Sequence, residues 1–267
     1  MHAAPILPTS KGADTTVPAP VPAVLSDREE RPTAAPAHAQ AGFTLVELSI
    51  VLVIIGLIIG GVLKGQEMIQ SARLKSMIAQ VESYRAAHNT FRDKYGALPG
   101  DYRDGQAALG TPLGITWSTP ACDGSANACD GDGILDGSQS SQENLLYWQQ
   151  LAAADLITGI QLADAPVASF GQGMPSASVG GGFGTDYATI AGSTGHWLFH
   201  AQSPNSGNGV LDGDQAEAID RKLDDGRPGT GWIRQTNAAC LRGGGALAAN
   251  SAYDPGGRLC RMAFEID

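Results

Sequence analysis

The sequence contains no run of lysine and arginine, and its 267 residues carry a formal net charge of −10. Proteins that bind the phosphate backbone of nucleic acids need clustered positive charge, because binding there depends on neutralising phosphates. The sequence therefore predicts no nucleic-acid partner. It also shows no internal repeat, which argues against a solenoid or propeller architecture.

The chain also lacks the short motifs of common catalytic sites. Neither G-x-S-x-G, nor the phosphate-binding G-x-x-x-x-G-K, nor a dinucleotide fingerprint occurs. His196 and His200, in the stretch HWLFH, come without the glutamate of H-E-x-x-H and without a clear third ligand. We interpret them as partly buried strand histidines, and we expect a protein that is not an enzyme.

Cysteine is scarce, and no C-x-x-C is present. Cys122, Cys129, Cys240 and Cys260 have a spacing that argues against a four-cysteine zinc site. An even number of cysteines, all downstream of an apolar segment, fits an oxidising compartment. Four cysteines allow three pairings, of which we favour Cys122–Cys129 with Cys240–Cys260 because each bond closes a local loop.

Large apolar side chains are nearly missing from the first 42 residues. Residues 1–42 instead hold seven of the fifteen prolines, together with many alanines and threonines. A segment of this composition cannot bury enough apolar surface to form a core. It is predicted to be a disordered leader.

A long apolar run follows, from Phe43 to Leu63. It spans 21 residues, and Glu47 is its one ionisable side chain. As a helix, this run is long enough to cross the hydrocarbon core of a bilayer. A carboxylate in such a span costs about 2.5 kcal/mol or more. Glu47 therefore marks a function or a partner, unless it lies near enough to the membrane surface to stay hydrated.

Residues 64–96 show the periodicity of an amphipathic helix. Apolar side chains recur at steps of mostly three and four, which predicts one buried face. That face comprises Met68, Ala72, Leu74, Met77, Ile78, Val81, Tyr84, His88, Phe91 and Tyr95. Gly96 and Pro99 are typical of a helix end. A continuous helix from Phe43 to Tyr95 would have 53 residues and a length of about 80 Å.

From about Ala97 onward, the pattern predicts an α+β head that is rich in turns. Helices are predicted in SQENLLYWQQLAAADLI, with Ser140 or Ser141 as cap, and in GDQAEAIDRKLDDG. Short strands are predicted at 196–201, 231–237 and 259–266, forming an antiparallel sheet against the amphipathic helix. Residues 171–184 are predicted to be a flexible loop.

The residues Gly42-Phe43-Thr44-Leu45-Val46-Glu47, the apolar run and the long amphipathic helix together resemble the N-terminus of type IV prepilins and pseudopilins. The resemblance covers residues 42 to about 95. It implies a pilin-like α+β fold divided into a cleaved leader, a filament-core half of the helix, an amphipathic half and a head. These four parts are residues 1–42, 43–63, 64–96 and 97–267.

The resemblance also implies a processing pathway. A prepilin peptidase would cut between Gly42 and Phe43 and methylate the new amine of Phe43. Glu47 matches the carboxylate that pairs with the N-terminal amine of a neighbouring subunit as helices stack. The partners implied are this peptidase, other pilin or pseudopilin subunits, an inner-membrane assembly platform and, before assembly, the membrane.

The head carries a softer resemblance to a bacterial group of pilin-like proteins, through FRDKYGALPGDY, ENLLYWQQLAAADLITG and AIDRKLDDGRPGTGWIR. Cys240 and Cys260 would correspond to the disulfide-closed C-terminal region of many pilins. The 225 residues after Gly42 are many for a bulk filament subunit, which favours a minor or specialised one. The alternative is a membrane-anchored periplasmic binding or enzymatic domain that does not polymerise.

One loop has the composition of a calcium site. Counted from Asp132, Asp136 and Glu143 fall at the fifth and twelfth places, as in an EF-hand loop, although Ile134 takes the third place. With Asp130, these carboxylates are candidate Ca²⁺ ligands, and the resemblance to exported pilin-like heads fits such a site. The alternative is a hydrated turn closed by the first cysteine pair.

Overall fold

The computed structural model describes residues 42–110, 129–135, 137, 142–160 and 169–267. By contacts between residues, the chain divides into a unit that ends at Val53 and a unit from Ile54 to Asp267. The predicted leader, apart from Gly42, lies outside the described residues. The elements are α1 (Leu45–Tyr95), α2 (Gly105–Leu109), α3 (Gln142–Ala153), β1 (Ser169–Phe170), β2 (Gly173–Met174), β3 (Gly182–Ile190), β4 (Ser193–Ala201), α4 (Gly213–Leu223), β5 (Ile233–Gln235) and β6 (Met262–Glu265).

The long helix is confirmed as the continuous element α1, with 51 residues. Its buried side chains are Met77, Val81, Tyr84, Ala87, His88 and Phe91. The predicted buried face is wrong at its start, since Met68 is 66% exposed and Ala72 is exposed as well. The apolar period continues through these two residues, but the head begins to cover the helix only at Leu74.

Four strands form one antiparallel sheet in the order β3-β4-β6-β5. In the centre, Leu198 pairs with Phe264, and Phe264 pairs with Ile233 on the other side. The three predicted strands are therefore confirmed: residues 196–201 belong to β4, β5 lies within 231–237, and β6 lies within 259–266. The last two are shorter than predicted.

The predicted flexible loop at 171–184 is wrong, because it contains β2 and the first residues of β3. β3 and β4 form a hairpin whose two-residue turn, Ala191-Gly192, has positive φ at both positions (47° and 84°). Such a turn matches the twist of the flanking strands, but its usual signals are Asn-Gly or Asp-Gly. At the start of β3, a Cβ on Gly182 would lie 2.3 Å from the Phe170 ring, so glycine is required there.

Both predicted head helices are confirmed as α3 and α4. α4 begins with a capping box, in which the Gln215 backbone N–H donates to Asp212 Oδ1 at 2.8 Å and the Asp212 N–H donates to Gln215 Oε1 at 3.2 Å. The predicted caps of α3, Ser140 and Ser141, lie outside the described residues.

The core of the head is aromatic and includes one face of α1. The Tyr84 ring contacts Trp148 of α3 edge-on at 5.2 Å between centroids, and Phe183 of β3 at 5.4 Å. Trp148 and Phe183 are fully buried. Aromatic pairs in this geometry add about 0.5–1.5 kcal/mol each beyond area burial. The helix, the sheet and α3 therefore meet at Tyr84.

One of the predicted disulfides is present, between Cys240 and Cys260. It joins the short 3₁₀ turn Ala238–Cys240 to the segment that enters β6. Cys129 lies with its Sγ 3.1 Å from the Gly100 carbonyl oxygen. Cys122 lies outside the described residues, so the pairing of Cys122 with Cys129 stays a prediction.

We expect the double variant Cys240→Ser/Cys260→Ser to be less stable than the native chain. The bond links residues 20 positions apart, and closing a loop of that length restricts the unfolded chain by about 3 kcal/mol. Urea unfolding of the full chain in a non-ionic detergent, followed by tryptophan fluorescence, measures the difference. Equal unfolding free energies for the two proteins would contradict a stabilising role for this bond.

Candidate processing and assembly segment

The segment around the predicted cleavage position is accessible. Gly42 and Phe43 precede α1 and have no regular secondary structure, and Phe43 is 86% exposed. A Cβ placed on Gly42 would meet nothing within 4 Å. No contact within the described chain therefore requires glycine at this position.

Glu47 lies in the first turn of α1 and caps the start of the helix. Its Oε2 accepts hydrogen bonds from the Thr44 backbone N–H at 2.8 Å and from the Thr44 hydroxyl at 2.9 Å. In return, the Glu47 N–H donates to Thr44 Oγ1 at 3.2 Å. This is a capping box. The T-x-x-E pattern that encodes it is visible in the sequence, and the sequence analysis above did not use it.

The second carboxylate oxygen of Glu47 has a different environment. Within the described part of the chain, Oε1 accepts no hydrogen bond, and the residue is exposed. Glu47 can thus keep its cap through Oε2 while Oε1 remains available to a donor from another molecule. The helix cap and an intermolecular contact do not compete for the same oxygen.

The apolar half of α1 is uncovered. Fifteen large apolar side chains between Phe43 and Leu63 are exposed, each by at least 46% of its surface. No residue from Phe43 to Leu63 is buried. By length and composition, α1 can cross a membrane. Such a surface is stable only in lipid or against other apolar surfaces.

The candidate calcium ligands are only partly brought together. Asp130 and Asp132 lie with Asp101, so that one carboxylate oxygen of each falls within 4.8 Å of the others. Asp101 was missed by the sequence analysis because it lies 29 residues before Asp130. Its Oδ1 accepts from the Gly131 N–H at 2.6 Å and its Oδ2 from the Gly133 N–H at 2.8 Å.

Burial raises the pKa of Asp101, while the two backbone hydrogen bonds from the loop lower it. Glu143 is buried in the first turn of α3 and is not in this group of carboxylates. Asp136 lies outside the described residues. Carboxylate oxygens are the donors that Ca²⁺ prefers, so the chemistry of Asp101, Asp130 and Asp132 fits the ion. Calcium binding stays a prediction.

The two strand histidines are buried, each with a protein partner. His196 Nδ1 lies 2.8 Å from Asp267 Oδ2, and His200 Nε2 lies 2.9 Å from the Gly180 carbonyl oxygen. Burial lowers the pKa of His200 to about 4, so it is neutral at pH 7. Among the described residues, neither histidine belongs to a group of three potential metal ligands.

A cavity of about 910 Å³ lies where the last turns of α1 approach the β3–β4 hairpin. Its lining is of mixed charge and includes Arg92, Asp93 and Asp267. Burial raises the pKa of Asp267, but the hydrogen bonds that it accepts from His196 outweigh this effect and lower it to about 2. Asp267 is therefore ionised at neutral pH and holds His196 in place.

A second group of carboxylates, also missed by the sequence analysis, lies at the end of α4. Asp220, Asp224 and Asp225 each bring an oxygen within 4.8 Å of the others. Asp220 is fully buried and accepts from the Tyr253 hydroxyl at 2.7 Å and from the Gly226 N–H at 3.0 Å. Burial is the main reason that its pKa is raised to about 7.

Comparison with protein families gave a match at the start of the chain. Residues 37–63 match the family model described as the prokaryotic N-terminal methylation motif. The match includes Gly42, Phe43 and Glu47, and it confirms the resemblance on which the cleavage site was assigned. Comparisons with curated proteins and with solved structures gave no significant match. The observed α+β architecture agrees with the predicted fold class.

We expect stability of the head to fall as pH rises from about 4 to 7, because of Asp220. Its folded-state pKa of about 7 lies above the ordinary pKa of an aspartate, 3.8, so the folded chain binds this proton more tightly than the unfolded chain. The stabilisation is complete below about pH 4 and is lost as pH passes through 7. Asp220→Asn, which cannot ionise, should show a flatter dependence.

Thermal unfolding of both proteins between pH 4 and 8 measures the difference. Asp214→Asn serves as the control, because Asp214 is exposed on the same helix and its replacement removes the same charge. If the native chain and Asp220→Asn have parallel pH profiles, the assignment of this dependence to Asp220 is wrong.

Proposed function

We propose that this chain, which carries the methylation motif of type IV pilin-like precursors, is a minor or specialised structural subunit of a type IV pilus or type II secretion pseudopilus. One observation carries the proposal. The motif at residues 37–63 contains the start of α1, and the apolar side chains of this part of the helix are exposed over about five turns. The same helix is covered by the head from Leu74 onward.

Processing comes first in this proposal. A prepilin peptidase cuts after Gly42 and methylates the amine of Phe43. Access to the bond is compatible with the structure, since Gly42 and Phe43 lie outside regular structure and are exposed. A peptidase within the membrane must approach the backbone closely, and a residue without a Cβ allows this.

Before assembly, the apolar half of α1 anchors the chain in the inner membrane by a single pass. Burying a valine, leucine or isoleucine side chain contributes about 1.5–3 kcal/mol relative to water. Fourteen such exposed side chains and Phe43 make release into water prohibitive. Transfer to a filament core is feasible because packed helices of other subunits are as apolar as lipid.

Glu47 then supplies the docking contact. Its free oxygen, Oε1, accepts a hydrogen bond from the methylated N-terminal amine of Phe43 of a neighbouring subunit. An isolated charge costs several kcal/mol in such a low dielectric, whereas a hydrogen-bonded pair recovers much of that cost. The contact joins fixed positions on two identical helices, so it sets their axial register.

The head is proposed to lie in the periplasm before assembly and on the filament surface afterwards. The disulfide between Cys240 and Cys260 supports this location, because such bonds persist in oxidising compartments. The assembly platform in the inner membrane and other pilin or pseudopilin subunits are the proposed partners. The proposed role is structural, and no catalytic activity is assigned to the head.

We expect the mature protein to begin at N-methyl-Phe43, as measured by mass spectrometry of the membrane fraction. Gly42→Leu should accumulate the precursor, because the added side chain obstructs the peptidase. Folding should not change, since a Cβ at Gly42 meets nothing within 4 Å. Gly61→Leu is the matched control, as a Cβ there also meets nothing, and it should be cut normally.

A mature protein that retains residues 1–42 would exclude the proposed processing. It would favour instead an anchored periplasmic domain that does not polymerise. Cleavage at another bond, with Gly42→Leu unaffected, would show that the assigned site is wrong.

We expect Glu47→Gln to be inserted and cut but to enter filaments at least about tenfold less than the native chain. The amide keeps an acceptor for the Thr44 hydrogen bonds and removes the charge, and removing one partner of a buried ion pair costs about 3–5 kcal/mol. Immunoblots of sheared filaments against total membrane protein give the ratio.

Thr44→Val separates the helix cap from the docking contact. It removes the hydroxyl that bonds to Glu47 and leaves the carboxylate intact. Its incorporation should stay close to that of the native chain. Normal incorporation of Glu47→Gln would contradict the docking role.

A further inference from the structure

The head contains a cleft whose first wall is a glycine-rich loop held at its base. Residues 240–242 pair with 252–254: the Arg242 N–H donates to the Ala252 carbonyl at 2.9 Å, and the Asp254 N–H donates to the Cys240 carbonyl at 2.9 Å. Cys240 is bonded to Cys260. Gly243 and Gly244, both with positive φ, let the chain turn away from this base. The position of Arg242 is therefore set by paired backbone next to a disulfide.

The opposite wall is the end of α4 and the turn after it. The Arg221 stem lies across Gly226, where a Cβ would come within 2.4 Å of Arg221 Cγ. Arg221 also pairs with Glu217 one turn earlier, at 2.5 Å between Nη2 and Oε1. Gly226 has a φ of 75°, so glycine is favoured there on two grounds. Arg227 follows directly and lines the same cleft.

The floor of the cleft is Tyr253. Its hydroxyl donates to the buried Asp220 carboxylate at 2.7 Å, which fixes the Tyr253 ring in the lining of the cleft. The cleft has a volume of about 510 Å³, within the range of small-ligand sites. Asn250 and Ser251 add polar groups at the loop side.

The charge of this cleft is opposite to that of the chain. Three arginines and one glutamate line it, which gives a formal charge of +2 in a protein of net charge −10. Glu217 is already paired with Arg221. Within the described residues, the guanidinium groups of Arg227 and Arg242 make no hydrogen bond or ion pair, and both side chains are exposed. The guanidinium groups of Arg227 and Arg242 are thus both available to a ligand in the cleft.

We propose that this cleft binds an oxyanion group, a carboxylate, sulfate or phosphate, on a ligand of about the size of a sugar acid. A planar guanidinium presents parallel N–H donors that match the oxygens of such a group and stays charged at any physiological pH. Arg227 and Arg242 bind the oxyanion, while Arg221, neutralised by Glu217, borders it. This ligand site belongs to the head and does not depend on cleavage or filament assembly.

The test uses the full chain in a non-ionic detergent and isothermal titration with four probes. Sulfate, phosphate and glucuronate carry the proposed group, and glucose is the neutral counterpart of glucuronate. We expect saturable binding of at least one oxyanion, no binding of glucose, and weaker binding as salt increases from 50 to 500 mM. Comparison of glucuronate with sulfate and phosphate identifies which oxyanion chemistry the cleft prefers.

Arg227→Ala and Arg242→Ala should each weaken binding about tenfold, since each removes charge-assisted hydrogen bonds. Neither guanidinium has a partner within the described chain, so the unfolding temperature should not change. Arg103→Ala is the matched control, because Arg103 is also exposed and does not line the cleft. It should bind like the native chain.

Three results would overturn the proposal. They are the absence of saturable binding for all three oxyanions, equal affinity for glucose and glucuronate, and an Arg103→Ala effect as large as that of Arg242→Ala. The last result would mean that binding reflects the total charge of the chain and not this cleft.

Discussion

The packing of one face of α1 against the head is the contact on which the rest of the structure depends. Tyr84 contacts both Trp148 on α3 and Phe183 on β3, so a single residue joins the helix to the sheet and to the second helix. Around it, Val81 and Phe91 are fully buried. The four-stranded sheet has one face available for this core, and α1 supplies the surface that covers it. Without the helix, the aromatic centre of the head would face water.

One continuous helix therefore serves two environments. Up to Leu63 its apolar side chains are exposed and suited to lipid or to other helices, and from Leu74 its apolar side chains face the head. Between these parts, Lys64 and Glu67 form an exposed ion pair at 2.8 Å. This polar turn limits how far the helix can enter a hydrocarbon core, because charged groups there are costly. The backbone is helical throughout α1, so the change of environment depends on the side chains along the helix.

The disulfide lies next to the cleft that is proposed to bind an oxyanion. Cys240–Cys260 ties the segment before β6 to the base of the loop that carries Arg242. On the other side of the cleft, Asp220 is buried beneath Tyr253 and holds the ring by a hydrogen bond. The cost of burying that carboxylate appears as its raised pKa. A strained or costly interaction is often retained where it positions a surface for binding.

Much of this architecture was readable from local patterns, and the exceptions have physical reasons. The helix α3 was predicted from its apolar residues and a candidate serine cap, and α4 from the stop signals Gly226 and Pro228. β3 was missed because Gly182 and Gly184 are poor strand formers and Ala191-Gly192 is an uncommon turn pair. At Gly182, glycine is required because the Phe170 ring approaches closely, and the sequence of the strand does not reveal this tertiary contact.

The sequence by itself determined the methylation motif, the apolar run, the position of Glu47 and the long helix, because each depends on residues that are close in the chain. Only the tertiary structure decided where the head begins to cover α1, and which carboxylates and arginines meet. Asp101 lies near Asp130, and Arg227 lines the same cleft as Arg242, because the fold brings together residues that are far apart in the sequence. The local periodicity of the sequence does not show such contacts. Local patterns report what a segment can form, whereas a site built from distant segments exists only after the core has brought them together.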